Sequence, residues 1–371
     1  MKPICDSEMI LNIGPHNPSS FGPVKLVTKL NGETVKSVEP IIGYNHRGVE
    51  KLAEALTYIQ YLPVVGKIDY ICGFIYQEAF CSSVEKLNDI SVPKRAQYIR
   101  VMLMELTRIS SHLFHLGTYM SDLGAKAQLH FALTTRKMIS DIFENICGNG
   151  VLSDFHIFGG VKQDLDKEIL NQIGDFTMEF PKELRQFQDL ITDNPVFRLR
   201  TGNLGIITKN KALSYGLTGP NLRSSGIKLD ARKTKPYLVY DEIEFQIPID
   251  CSGDCYSRCL LRIREMIESL KIIKQCNRFL IKTSGEYKNN LVNPLQIHPE
   301  PNTVISHVES PRGIVSCTVI SDGSEKPTRV KWRTPSFYAV QILPDLLINR
   351  CYSDISTICG SLDISTTEAD R

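Results

Sequence analysis

The chain has 371 residues, 42% of them hydrophobic and 23% charged, a size and balance that allow a large buried core. With 43 basic against 41 acidic residues its net charge is +2, which gives no electrostatic footprint for nucleic acid. It contains no run of about 18 apolar residues, the length that a bilayer-spanning helix needs.

The opening Met1-Lys2-Pro3-Ile4-Cys5-Asp6 shows neither the apolar stretch of a secretory signal nor an Arg/Ser-rich import pattern. The chain is therefore expected to stay where it is made or to have lost a presequence. Met9–Ile13 reads as a strand. A stiff loop, Gly14–Pro23, follows with three prolines and two glycines, longer than a tight hairpin requires. In Val24–Leu30 the apolar Val24, Leu26 and Leu30 alternate with Lys25 and Lys29, and Asn31-Gly32 predicts a hairpin into Glu33–Val38. A Gly-bounded basic turn, Gly43–Gly48, leads to a helix expected over Lys51–Leu62 and ended by Pro63. Lys67-Ile68-Asp69-Tyr70 opens a second apolar segment through Leu87.

Pro93 predicts the first residue of a long helix, with Ile99, Leu103, Leu106, Ile109 and Leu113 on one face and Arg95, Arg100 and Arg108 largely elsewhere. Ser121–Ala125 ends it. Phe131–Cys147 reads as a helix ended by Gly148, and Gly159-Gly160 as a turn. Asp166–Ile191 reads as one or two helices interrupted near Pro181. Irregular segments around Gly202–Gly226 precede a strand-like run, Tyr237–Pro248. A long amphipathic helix starts near Asp254 or Cys255, with Leu260, Ile263, Ile267, Leu270 and Ile273 on one face. Thr283–Pro301 is polar and reads as a linker. A hairpin is expected from Gly313–Ile320 and Thr328–Arg333, then a final helix near Val340–Asn349. There is no internal repeat. The fold class is α+β: an N-terminal antiparallel sheet and first helix over 1–62, a central helical bundle over 63–282, a linker over 283–301 and an α+β part over 302–371.

The eleven cysteines are scattered and form no C-x-x-C pair, against zinc ribbons, ferredoxin-type clusters and thioredoxin chemistry. Cys251, Cys255 and Cys259 form the only cluster, but Ser252-Gly253 places the helix start after Cys251, so thiols are favoured over a metal site. No metal is expected in this chain. His46-Arg47 can place a cation beside an anionic or redox partner, or simply form a helix-entry turn. Asp69-Tyr70 lies between apolar runs; the tyrosine is a satisfied core residue or a donor of its phenolic proton to a carbonyl oxygen. Asp122 caps a turn or, paired with Tyr70, delivers protons. His112 reads as a hydrogen-bonded core histidine. No dinucleotide, Walker or nucleophile-elbow motif is present.

Several segments in order carry a resemblance: Gly14-Pro15-His16-Asn17-Pro18, His46–Leu52, Lys67-Ile68-Asp69-Tyr70, Val92–Gln97, Asp122-Leu123-Gly124-Ala125, Ser225–Asp230, Tyr240-Asp241, Gly253–Arg258, Glu309–Gly313, Ser321–Ser324 and Glu368–Arg371. The chain resembles the forty-nine-kilodalton, quinone-site subunit of respiratory complex I (NADH:ubiquinone oxidoreductase) over about 9–276 and 302–371. Gly253–Tyr256 and Arg232–Tyr237 look most like mitochondrial members. The resemblance implies a fold like the large subunit of nickel-iron hydrogenases, although the two C-x-x-C pairs that hold the hydrogenase metal are missing. It implies no cofactor of the chain's own, ubiquinone as substrate and a [4Fe-4S] cluster in the adjacent subunit. It implies as partners that terminal iron–sulfur subunit and the quinone-site membrane subunit, NADH-derived electron transfer coupled to proton pumping, and a peripheral place on the matrix side of the mitochondrial inner membrane, with chloroplast thylakoid or bacterial cytoplasmic membrane as alternatives.

Carried over by position, Tyr70 matches a tyrosine that hydrogen-bonds one quinone carbonyl, Asp122 a carboxylate linked to the site's histidine, and Arg47 an arginine close to the cluster. The family loop reads Gly-Pro-Gln-His-Pro-x-x-His-Gly. Here its histidine positions are Asn17 and Phe21, and His16 stands one place off. A further cluster-side histidine is replaced by Leu152, and acidic positions around Thr134, Thr135 and Lys137 are changed. Phe21 can neither donate a proton nor hydrogen-bond, so Asp122 lacks the expected imidazole. Two functions follow: a divergent quinone reductase using Tyr70 with His16 or water, or a mainly structural, assembly-bearing subunit with an impaired quinone site.

Overall fold

A computed structural model describes residues 8–16, 20–151, 154–192, 194–293 and 295–371. Strand β1 (Glu8–Ile13) pairs antiparallel with β2 (Lys25–Asn31), which pairs with β3 (Thr34–Ile41) across the Asn31-Gly32 hairpin. Leu26 and Leu30 face inward while Lys29 faces out, as a half-buried strand requires.

The helix expected over Lys51–Leu62 is two helices, α1 (Val49–Ala55) and α2 (Tyr58–Val65). They break at Leu56 because Thr57 caps α2 reciprocally with Gln60. Pro63 does not end α2; it lies inside the last turn. Helix α3 (Gly73–Leu87) follows, then α4 (Lys94–Asp122), 29 residues with Pro93 immediately before it, and α5 (Lys126–Cys147), closed by Gly148 at φ 72°. A small ribbon, β4 (His156–Ile157) and β5 (Gly160–Val161), turns at Gly159. Helix α6 (Lys167–Thr192) runs unbroken through Pro181. Its apolar stripe, Ile169, Ile173, Phe176, Phe180, Leu184, Phe187 and Ile191, is buried on both sides of the proline. That burial outweighs a proline penalty of about 3 kcal/mol.

Four short helices come next: α7 (Pro195–Thr201), α8 (Lys209–Ser214), α9 (Gly219–Arg223) and α10 (Ala231–Thr234). The strand expected at Tyr237–Pro248 does not form. Leu238 takes φ 51°, and the segment is pinned by side chains instead of a ladder, with Tyr240 donating to Glu105 Oε1 at 2.7 Å and Lys233 Nζ to the Ile243 carbonyl at 3.1 Å. Helix α11 (Cys255–Lys282) starts where Asp254 caps it through the Ser257 amide. Within 283–301 the Asn289 amide bonds the Gly159 carbonyl, so this stretch is tied to the β4–β5 turn. The C-terminal sheet has three strands, β6 (Asn302–Ser310), β7 (Gly313–Ser321) and β8 (Arg329–Arg333), all antiparallel. The expected final helix is two short ones, α12 (Pro335–Gln341) and α13 (Leu343–Leu347), and α14 (Asp354–Ser361) and α15 (Thr366–Asp370) complete the described chain.

Two apolar cores result. The larger joins α3–α6 and α11 to β6–β8 around Phe74, Leu103, Phe143, Phe180 and Trp332. The smaller joins β2 and β3 to α12–α14 around Leu26, Val35, Leu343 and Ile358. Arg100 and Arg108, expected away from the core face, are fully buried, because α4 is covered nearly all round. Each arginine is neutralised in place. Arg100 pairs with Glu78 at 3.1 Å and Glu85 at 2.6 Å. Glu105 receives Arg108 at 3.2 Å, Arg232 at 3.1 Å and the Ser269 hydroxyl at 2.6 Å. Burial alone would raise the Glu105 pKa, but these two cations hold it at about 2.

Candidate functional site

The Gly14–Pro23 loop is fastened to the far end of the chain. The Phe21 amide donates to the Ile364 carbonyl at 2.9 Å, and the Thr366 amide donates to the Phe21 carbonyl at 2.8 Å. Gly22 makes this approach possible. Its φ is 95°, and a Cβ there would lie 2.1 Å from Thr366 Oγ1. Gly14 serves the base of the loop in the same way, since a Cβ would meet the Val24 carbonyl oxygen at 2.2 Å.

Phe21 lies where the two cores meet. Its ring stands edge-on to Tyr70 with centroids 5.2 Å apart, and edge-on to Phe114 at 5.5 Å. Behind it lies a cavity of about 150 Å³, walled by Phe21, Phe114, His115, Thr118, Asp122, Arg312 and Asp363 among others. The loop and the end of α4 therefore form one site, and Phe21 and Asp122 share its cavity.

Asp122 occupies the last residue of α4. Among the described residues its carboxylate has no hydrogen-bond or ion-pair partner, and partial burial raises its pKa to about 6. It makes no hydrogen bond to Tyr70; Phe21 packs against the tyrosine and lines the carboxylate's cavity. The Tyr70 phenol is 38% exposed and makes no hydrogen bond among the described residues. Burial and then the neighbouring Asp69 raise its pKa, so it keeps its proton at neutral pH. Asp69 itself is fully buried and paired with Arg312, whose Nε also reaches Asp363 at 3.2 Å.

Among the described residues Arg47 does not pair with a carboxylate. Its guanidinium donates to the carbonyls of Lys67 at 2.8 Å, Ile68 at 3.2 Å and Thr367 at 2.7 Å. It thereby ties the turn that carries Tyr70 to the C-terminal segment. His46 accompanies it, its Nδ1 2.7 Å from the Asp370 carbonyl. His16 is exposed and does not line the cavity. Asn17 and Leu152 lie outside the described residues. His112 is a core histidine, 3.0 Å from Glu265. Cys255 and Cys259 are buried thiols and Cys251 an exposed one. Among the described residues no group of histidines, cysteines and carboxylates is arranged to hold a metal ion.

Two contributors were not named as site residues from the sequence, although Glu368–Arg371 belongs to the segments that carry the resemblance. His115 follows His112 by one turn and faces the cavity, yet an apolar helix gives no sign of which histidine does so. The C-terminal stretch Ile364–Asp370 is buried and contacts the opening loop across 345 positions in sequence, a pairing with no local signature. Its Glu368 accepts from Tyr76 and from the Ser336 amide, and its Asp370 caps the Gly43 and Asn45 amides at 2.8 Å each.

The family described as Respiratory-chain NADH dehydrogenase, 49 Kd subunit matches residues 122–296 and 287–371. The D subunit of the NADH-quinone oxidoreductase of Campylobacter curvus is 40% identical over 389 residues, covering 99% of this chain and 95% of the relative. Its namesake from Geobacillus thermodenitrificans is 40% identical over 364 residues, 98% of each chain. One from Roseiflexus is 39% identical over 369 residues, 98% of this chain and 99% of the relative. No helix among the described residues is long and apolar enough to cross a membrane. The chain belongs to the family of the 49 kDa subunit of respiratory-chain NADH dehydrogenase, complex I, and is a core subunit of that oxidoreductase.

Proposed function

We propose that this subunit forms one wall of the site where NADH-derived electrons reduce a quinone, ubiquinone in the mitochondrial setting. The single observation that carries the reading is the placement of Phe21 between an unpaired phenol, Tyr70, and an unpaired carboxyl, Asp122, at the junction of two cores. Tyr70 keeps its proton and has it free for a carbonyl oxygen; Asp122 titrates near neutrality and serves as the proton store. Both face outward enough to meet a substrate held against a second subunit. Arg47 positions the Tyr70 turn through backbone carbonyls and presents positive charge toward a partner's iron–sulfur cluster. This chain holds no cofactor in the proposal: electrons come from a [4Fe-4S] cluster in the adjacent subunit, a membrane subunit completes the quinone chamber, and the coupled energy drives proton pumping.

The order of N-terminal sheet, helical bundle and C-terminal α+β part supports a nickel-iron-hydrogenase large-subunit type of fold, without that family's metal-binding cysteine pairs. The setting proposed is peripheral to an energy-transducing membrane. Gly253–Tyr256 and Arg232–Tyr237 favour the matrix side of the mitochondrial inner membrane, and the relatives named above are bacterial. The Phe21 ring, seated where an imidazole was expected, favours one alternative: a structural subunit with an impaired site. A photoreactive quinone analogue applied to the assembled complex tests the reading. Labelling at peptides bearing Phe21 or Tyr70, suppressed by excess quinone, is expected; labelling confined to other subunits would refute it.

A further inference from the structure

The C-terminal sheet turns only one of its faces into a core. Val308, Cys317, Val330 and Trp332 point inward and are buried there. The alternate residues of β8, Arg329, Lys331 and Arg333, point the other way. The strand register carries each across β7 to β6, and these outward rows contain His307, Ile305 and Ile320 but no carboxylate. Arg329 and Lys331 are exposed, and Ile305 is 52% exposed at the middle of β6.

The chain meets these three cations unequally. Lys331 lies 3.2 Å from Glu50, a carboxylate shared with Arg371 at 3.0 Å. Arg333 donates to the carbonyls of Ile314 at 2.9 Å and Gly216 at 2.7 Å. Arg329 has no hydrogen-bond or ion-pair partner among the described residues. Positive charge continues past Arg333: burial first, then Lys235, Lys86 and Arg333, push the His307 pKa below its ordinary value. Charged side chains often guard an open sheet edge against pairing. Here α1 packs along β8, and Glu50 accepts from the Trp332 amide at 3.0 Å, so the edge is already covered.

A recess of about 410 Å³ opens between α1 and β8, with Lys51, Arg329, Lys331 and Arg371 in its wall. Its carboxylates are all engaged. Glu50 takes Lys331 and Arg371, Glu54 takes Lys51, and Asp370 takes the Gly43 and Asn45 amides. The recess therefore supplies no carboxylate for Arg329.

We propose that the outer face of β6–β8, with this recess, docks an acidic segment of a neighbouring subunit of the NADH dehydrogenase. Its carboxylates meet Arg329 and Lys331, and an apolar residue of the segment covers Ile305. An apolar centre beside a charged rim is the usual anatomy of a protein interface. Opposite charge across it sets register and partner choice more than raw affinity. The recess suits an inserted side chain, whereas a planar lipid surface would leave it unfilled. The same alternation that buries Val330 and Trp332 thus builds the docking face on its other side. The proposal needs only that the chain is a subunit of the complex; it does not rest on the quinone reading.

The test uses the purified complex. A carbodiimide joins a lysine amine to a touching carboxylate with loss of water and adds no spacer. Lys331 or Lys51 is expected to be joined to an aspartate or glutamate of another subunit, located by mass spectrometry. Joining only to carboxylates of this chain, or none at all, would overturn the proposal. Protection of Lys331 from an amine reagent that is lost on delipidation, without such a cross-link, would assign the face to lipid and overturn it equally. Arg329→Glu reverses a charge that has no partner within the chain. It is expected to lower the share of this chain recovered in the complex at low salt by at least about fivefold, with Arg329→Lys within about twofold. Lys182→Glu, on the exposed side of α6, is expected to change nothing. Full recovery of Arg329→Glu, or an equal loss with Lys182→Glu, would contradict the proposal. Quinone turnover enters none of these readouts, so a failure of the quinone reading is distinguished from a failure of this one.

Discussion

The Phe21 ring stands edge-on to the Tyr70 ring, centroids 5.2 Å apart, at the position where the family resemblance implies a histidine. Phe21→His restores an imidazole against Tyr70 and beside the cavity of Asp122. It is expected to raise quinone turnover several-fold and to add an ionisation near the ordinary histidine value of about 6.5 to the pH profile. Turnover and profile both unchanged would show that this loop carries none of the chemistry.

Arg312 joins Asp69 to Asp363, both buried. Arg312→Met leaves Asp69 without its cation and Asp363 with Arg262 alone, at 3.8 Å, and is expected to cost about 3–5 kcal/mol of stability. Arg312→Lys, which keeps the charge but loses the two-pronged geometry, is expected to cost less. Denaturant unfolding of the chain measures both, and equal losses would contradict this account.

Asp122 has a folded pKa near 6 against an unfolded value of 3.8, because burial penalises its charge. Its neutral form is the one the fold favours. That contribution is complete below pH 3.8 and is lost as pH rises through about 6. Asp122→Asn removes the penalty. The variant is therefore expected to gain about 1 kcal/mol relative to the unsubstituted chain on going from pH 3.5 to pH 7.5, a figure reduced for solvent screening at a half-exposed site. The difference in unfolding free energy at the two pH values checks the sign. In the assembled complex the same variant is expected to lower quinone turnover.

Gly22→Ala places a methyl group 2.1 Å from Thr366 Oγ1 and 2.9 Å from Asn45 Nδ2, at a φ of 95°. The loop is expected to separate from Ile364–Thr366, at a cost of about 2 kcal/mol or more. Hydrogen exchange of the Phe21 and Thr366 amides reads this directly; unaltered protection would show that the loop tolerates the side chain.

Where local pattern suffices, the sequence announced the structure. The Asn31-Gly32 hairpin, the Pro93 start of α4, the Gly148 stop of α5 and the Asp254 cap of α11 each rest on residues within a few positions. Arg100 and Arg108 differ from expectation because the apolar stripe does not face one core alone: α4 is enclosed, and its charges are met by Glu78 and Glu85 of α3 and by Glu105 of α4 itself. Tyr237–Pro248 alternates like a strand but pairs with no strand among the described residues; its tyrosines are drawn to α4 and to β6, where Tyr237 accepts from the Glu309 amide. Tyr70 and Asp122 were candidates from their sequence neighbours, and the resemblance gave them, with Phe21, their expected roles. His115 gave no local signal and Glu368–Arg371 entered only through the resemblance, because their place in the site comes from contacts between distant parts of the chain.

The central claim is that Tyr70 and Asp122 serve quinone reduction in an assembled NADH dehydrogenase. Inhibitor-sensitive NADH:quinone turnover by the purified complex, compared between the unsubstituted protein and Tyr70→Phe, tests it most directly. The account predicts turnover that falls at least about a hundredfold in the variant while NADH still reduces the iron–sulfur cluster. No quinone-dependent turnover in the unsubstituted complex, with that cluster still reducible, would contradict it.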